Sequence, residues 1–181
     1  MNIIETPIEG VKIIEPKVFG DARGYFFESC NKAAFAAAGI EADFVQDNES
    51  FSTYGVLRGL HYQMPPYTQA KLVRVIEGTV LDIVVDIRKG SPTFGRNVAV
   101  ELSGENKRQL FAPRGMAHGF AVLSATATFA YKCDNIYAPT HERSIRFDDP
   151  KLGIDWQIPP ENYLLSEKDR KGVPFDEAEY L

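Results

Sequence analysis

A chain of 181 residues is sized for one domain with its own core, needing neither disulfides nor a structural metal. With 44% hydrophobic residues, 25% charged residues and a net charge of -5, it reads as a soluble globular protein with no general attraction to nucleic acid or to an anionic membrane. Any anion it binds must be held by a local cluster of Arg and Lys. Its two cysteines, Cys30 and Cys133, lack the spacing of a zinc or redox motif and read as reduced thiols of a cytoplasmic protein. Met1 to Pro7 lacks the basic start and apolar run of an export signal, and no apolar run approaches a membrane span.

In chain order, residues 1 to 20 alternate weakly, with Pro7 and Pro16 as punctuation. Short or edge strands are expected there, because Pro cannot donate to a ladder. Gly20 to Gly24 is a turn by composition, and Tyr25 to Glu28 reads as a strand, with Arg23 and Glu28 bracketing its aromatics. Asn31 to Gly39 is the clearest helix: Asn31 suits the N-cap, five alanines favour the interior, and Gly39 suits the C-terminal cap. Phe35 is its expected anchor to the core. Phe44 to Asn48 and Ser50 to Ser52 return to β character.

The middle is strand after strand. Lys71 to Glu77 alternates, Gly78-Thr79 reads as a tight hairpin link to Val80–Ile87, and Asn97 to Leu102 follows. Gln109 to Ala112, Gly119 to Leu123 and Thr126 to Lys132 complete the series. Short strands at this spacing, with turn signals between them, predict an all-β sandwich or barrel. The periodicity fades after Tyr137. A tail this long is expected to wrap back, with Trp156 packed on the barrel and Lys168 or Asp169 at a site.

Two stretches carry chemistry: Gly55 to Gly78, which sets Arg58, His61, Gln63 and Lys71 among apolar residues, and Pro113-Arg-Gly-Met-Ala-His118-Gly-Phe. They are expected to face each other across one cavity. Their spacing resembles the two cupin motifs. That resemblance implies a jelly roll, or double-stranded β-helix, with one or a few short helices. Cupins usually hold a metal with three His and one Glu. Here Gln63 stands at the second His position and Lys71 at the Glu position. A divalent ion favours neutral imidazoles and anionic oxygen, so an ammonium there repels it. No metal and no cofactor are expected. A cation at that position suits an oxyanion instead.

Further motifs narrow the resemblance. Arg58-Gly-Leu-His61-Tyr-Gln63, Val85-Asp-Ile-Arg-Lys-Gly-Ser-Pro-Thr-Phe94-Gly, Glu105-Asn-Lys-Arg-Gln-Leu110, His118-Gly-Phe, Tyr131-Lys-Cys, Tyr137-Ala-Pro and Leu165-Ser-Glu-Lys-Asp169 together resemble the dTDP-4-dehydrorhamnose 3,5-epimerase family. The likeness runs from Phe19 to Asp169. It implies an isomerase acting on dTDP-4-dehydro-6-deoxyglucose, whose carbon-4 ketone acidifies the protons on carbons 3 and 5. It also implies a homodimer with exchanged N-terminal strands, and a single domain over residues 1–181.

By that resemblance, His61 is the general base, Asp169 its paired carboxylate, Lys71 the partner of the enolate oxygen and Tyr131 the acid on the opposite face. The residue types suit these roles: an imidazole titrates near working pH, and a carboxylate fixes its tautomer. The resemblance assigns nucleotide contacts to Arg23, Glu28, Gln46, Asn48, Arg58, His118, Glu142 and Lys168. Arg suits a diphosphate through its bidentate donors. Phe19 and Phe26 are either thymine-stacking or ordinary core aromatics. Asp82 either contacts the sugar or holds Lys71. Three alternatives stand beside the double epimerase: an enzyme inverting only carbon 3 or only carbon 5, a metal cupin, and a non-catalytic nucleotide-sugar binder.

Overall fold

Inward-facing apolar side chains, recurring every second residue, build the molecule from two facing antiparallel sheets. The computed structural model describes all of residues 1–181. The strands are β1 (Asn2–Glu5), β2 (Lys12–Glu15), β3 (Phe19–Asp21), β4 (Gly24–Phe26), β5 (Gln46–Thr53), β6 (Leu57–Gln63) and β7 (Lys71–Glu77). They continue with β8 (Thr79–Asp86), β9 (Asn97–Ser103), β10 (Gln109–Ala112), β11 (Met116–Val122), β12 (Thr126–Cys133) and β13 (Glu142–Ser144). One sheet runs β1-β2-β10-β7-β12-β5 and the other β13-β6-β11-β8-β9, while β3 and β4 form a separate hairpin. This is the expected all-β, cupin-type jelly roll, with one α-helix and four short 3-10 turns.

Three clusters hold it together. Val73, Val75, Val84, Leu102, Leu110 and Phe129 fill the space between the sheets. Leu57, Leu60, Tyr62, Leu81, Ile83 and Val85 face the other way, off the five-stranded sheet, and the tail covers them with Ile145, Leu152, Trp156, Ile158 and Phe175. Trp156 is 2% exposed and donates its indole N–H to the Phe147 carbonyl at 2.9 Å, so both its apolar body and its polar edge are satisfied. The helix α1 (Lys32–Ala37) seats Phe35 with Ile14, Leu72 and Phe111 on the outside of the six-stranded sheet. Asn31 caps it by accepting from the Ala34 N–H, and Gly39 takes the left-handed conformation that ends it, at φ +72°.

The expected Gly78-Thr79 hairpin is not one. β7 and β8 belong to different sheets, so Gly78 turns the corner between them. Its φ is +82°, and a Cβ there would meet the Thr126 carbonyl oxygen at 2.1 Å. A positive-φ glycine between two alternating runs signals a sharp turn, but not which sheet the chain enters next. Smaller differences have local causes. Phe44–Ser52 is one strand from Gln46, kept continuous by pairing along the whole of β12. Tyr25–Glu28 is cut short at Phe26, because β4 pairs only with the three residues of β3. The supposedly irregular tail adds β13 to the edge of β6. No helix is long and apolar enough to cross a membrane.

Candidate active site

The site begins with a register problem. Arg58 and His61 are three residues apart on β6. In a regular strand that odd spacing would put them on opposite faces. The pairing with β11 slips here, with His118 opposite His61 but Phe120 opposite Arg58. Gly59 absorbs the extra residue at φ +129°. A Cβ on Gly59 would lie 2.5 Å from the Cα of Gly119, so both strands need glycine at this approach. On either side of the bulge, Arg58, His61 and Gln63 all line the inner cavity, while Leu57, Leu60 and Tyr62 join the outward-facing cluster.

That cavity, of about 360 Å³, opens between the two sheets. It gathers His61, Lys71, Tyr131 and Asp169, together with Gln46, Asn48, Arg58, His118, Glu142 and Lys168. His61, Arg58 and His118 come from the five-stranded sheet; Lys71, Tyr131, Gln46 and Asn48 come from the six-stranded one. His61 and Tyr131 therefore enter one cavity from opposite walls. Four candidates lie elsewhere. Phe19, Arg23 and Phe26 sit on the β3–β4 hairpin, which forms a separate exposed concavity, and Glu28 is held by the Asn31 amide. Phe19 is 54% and Phe26 65% exposed, so neither is a core aromatic within this chain. Arg23 pairs with Asp21 rather than reaching Glu28.

His61 Nε2 lies 2.9 Å from Asp169 Oδ1. The Gly59 N–H donates to the same oxygen at 3.0 Å, and the Ser166 hydroxyl donates to Oδ2 at 2.5 Å. Burial alone would raise the Asp169 pKa, but the bonds from His61, Ser166 and Gly59 outweigh it and hold the carboxyl at about 2. It is an anion at any working pH. Burial lowers the His61 pKa below its usual 6.5; Asp169 opposes the shift, while Lys168 and Lys71 reinforce it. The imidazole is thus held neutral, the form that accepts a proton.

Burial also lowers the pKa of Lys71, and the surrounding Cys133, Glu142 and Asp82 restrain that drop. Burial raises the Tyr131 hydroxyl, keeping its proton in place. The site therefore offers a neutral base, a desolvated lysine amine and a protonated phenol. Asp82 is fully buried, with both carboxylate oxygens 3.0 Å from His118 Nε2; within the chain its direct partner is His118.

Of the cupin ligand positions, only the two His suit a metal. Gln63 is already occupied: it donates to the carbonyls of Tyr67 and Ile136 and accepts the Ala138 N–H at 2.7 Å. It tethers the loop carrying Tyr137. With Lys71 as the fourth group, this donor set does not fit a divalent ion.

Several further residues line the cavity to which no motif assigns a role. Tyr137 donates its hydroxyl to Glu142 Oε2 at 2.8 Å, and Glu142 also pairs with Lys168. Ser50, with a buried hydroxyl lacking a partner, and Cys133, opposite Lys71 in the ladder, line the same space. Strict alternation with Gln46 and Asn48 along β5 was the available signal for Ser50.

Comparison with known proteins agrees with this geometry. Residues 5–177 match the model of the family described as dTDP-4-dehydrorhamnose 3,5-epimerase. A relative of that name from Shigella flexneri is 56% identical over 182 residues, covering 100% of this chain and 99% of its own. The crystal structure of a dTDP-6-deoxy-D-glucose-3,5-epimerase from Legionella pneumophila, in complex with dTDP-4-keto-L-rhamnose, superposes with a TM-score of 0.95 at 54% identity, covering 98% of this chain and 94% of that one. A 3'-monoepimerase from Streptomyces bikiniensis, in complex with dTDP-quinovose, superposes at 0.85 with 37% identity, covering 93% and 85%. Two sheets carrying a neutral imidazole and a phenol into one cavity, and relatives matched along nearly their whole length, place the chain in the dTDP-4-dehydrorhamnose 3,5-epimerase family.

Proposed function

We propose that this protein inverts carbons 3 and 5 of dTDP-4-dehydro-6-deoxy-D-glucose to give dTDP-4-dehydro-L-rhamnose. The observation that carries this reading is the entry of His61 and Tyr131 from opposite sheets into one cavity. Inversion of a carbon requires a proton to leave one face and another to arrive at the opposite face. His61 takes the proton from the carbon next to the ketone. The electron pair moves into the carbon–oxygen unit, and the Lys71 ammonium stabilises the enolate oxygen. Tyr131 delivers a proton to the other face. The phenol regains its proton, and the imidazolium loses its own, to solvent before the next turn.

Arg58 and Lys168 supply the local positive charge that a diphosphate needs in a chain of net charge -5. Gln46 and Asn48 offer amides for the nucleoside, with Glu142 and His118 completing the wall. The 3,5-epimerase relatives above, at 54–56% identity, stand closer to this chain than the monoepimerase at 37%, which favours inversion at both carbons. The test is proton NMR of the keto sugar nucleotide with enzyme in deuterium oxide. Deuterium at carbons 3 and 5, with a rhamno product trapped by a reductase, is the expected result. Deuterium at one carbon alone would replace this reading with a single epimerase, and none at either carbon would remove the catalytic assignment.

We further propose that residues 1–181 act as one folding unit in a cytoplasmic homodimer whose β3–β4 hairpins serve the partner's cavity. In support, that hairpin leaves Phe19, Tyr25 and Phe26 more than half exposed and Arg23 outside the chain's own cavity. The expected result is a dimer by sedimentation, with complementation on mixing. Arg23→Ala and His61→Ala chains, each weak alone, regain one native site per mixed dimer, up to about a quarter of all sites in an equal mixture. A monomer, or no gain on mixing, would refute the shared site.

A further inference from the structure

The carboxylate that faces His61 is not held by the barrel alone. Oδ1 of Asp169 lies 2.9 Å from His61 Nε2 and accepts the Gly59 N–H at 3.0 Å. Its other oxygen, Oδ2, has one donor in the chain, the Ser166 hydroxyl at 2.5 Å. The Asp169 N–H in turn donates to Ser166 Oγ at 3.1 Å, and the Arg170 N–H to the Ser166 carbonyl at 3.1 Å. Ser166-Glu-Lys-Asp169 thus has the spacing of a capping box. In an ordinary box the acidic side chain would reach back to the Ser N–H. Here the carboxylate turns away from that N–H, accepts a hydrogen bond from the Ser166 hydroxyl instead, and points at His61.

We propose that Ser166 is a positioning residue for the proton-abstracting pair. It fixes the rotamer of Asp169, and through Asp169 the ring orientation and basicity of His61. This rests on His61 being the base of the reaction proposed above. Asp169 is 4% exposed, so water is poorly placed to replace the lost donor. The direction of the effect follows. Without the hydroxyl, more negative charge remains on the carboxylate, its pull on an imidazolium grows, and His61 holds a proton to higher pH.

The test compares wild type with Ser166→Ala and Ser166→Thr, reading three quantities: kcat and KM, the pH profile of kcat/KM, and the His61 titration followed by NMR in enzyme without substrate. Ser166→Ala is expected to lower kcat about 10- to 100-fold and change KM less than about twofold. The acid limb and the His61 titration should both move to higher pH. Ser166→Thr, which keeps the hydroxyl, is expected to restore all three. Ser166→Ala with native kcat and an unmoved His61 titration would overturn the proposal. So would equal losses in both variants with the titration unmoved, since that pattern describes a merely structural turn. If wild type itself shows no exchange at carbons 3 and 5, the epimerase reading fails first and this inference falls with it. Normal wild-type exchange beside an indifferent Ser166→Ala overturns this inference alone.

Discussion

His61→Ala is expected to lower turnover by about three to four orders of magnitude, with Tm changed by only a few degrees. The variant removes the one imidazole that faces Asp169 and leaves the strand core of Leu57, Leu60 and Tyr62 intact. Deuterium wash-in at carbons 3 and 5 should fall together with turnover, because the same base serves both positions. A variant retaining even a tenth of the native exchange rate would place the base elsewhere. The pH dependence of the native enzyme supplies the sign check. The His61 pKa is lowered from 6.5, and a base works when deprotonated. The acid limb of kcat/KM should therefore lie below pH 6.5, with activity lost as pH falls through it and none lost there as pH rises. An acid limb above 6.5 would contradict the burial-dominated environment.

The second large effect concerns Lys71. Replacement by Met keeps most of the aliphatic stem and removes the charge. Turnover is expected to fall by about 100- to 1,000-fold, the scale on which a preorganised oxyanion partner acts, with KM much less affected. Stability should move the other way. Burial penalises the ammonium, and an apolar side chain among Val73 and its neighbours removes that penalty, so Tm is expected to hold or rise. Activity and stability moving in opposite directions is the mark of a group retained for chemistry. A Lys71→Met enzyme within tenfold of native activity would end the enolate role. A fall in Tm of many degrees would show that Lys71 is part of the framework instead.

Much of the barrel was legible because a half-buried strand announces itself by alternation. The expected bounds of Gln109–Ala112 and Lys71–Glu77 coincide with β10 and β7. Connectivity was harder to read. Alternation on either side of Gly78 gives two strands but not the sheet each joins, and the jelly roll sends them to different ones. The Arg58–His61 spacing shows a related limit: period 2 alone separates the two side chains, and only the slip at Gly59 and Gly119 returns them to one wall. The motifs located His61, Lys71, Tyr131 and Asp169 in one cavity despite separations of up to 108 residues. They could not show that Gln63 is tied to a loop, since its partners are backbone carbonyls and an N–H, which leave no trace in residue identity. Nor could they show that Phe19, Arg23 and Phe26 lie off the chain's own cavity, because a motif names residue types without fixing which wall of the fold they reach.

The placement of Asp169 has a consequence for how activity is gained and lost. Its carboxylate is carried not by a barrel strand but by a turn near the end of the chain, pinned by single bridges between Val56 and Leu164 and between Ile145 and Val173. During synthesis the two sheets have all their residues once β13 has emerged, yet the base still lacks its counter-ion until some twenty-five residues more have followed. The same holds in reverse. A single protease cut ahead of Ser166 would leave every strand intact while loosening the turn that steadies His61, which Phe175 would then hold to the sheet from one side only. Loss of function would then precede loss of structure, and a melting curve would be a poor proxy for the working enzyme.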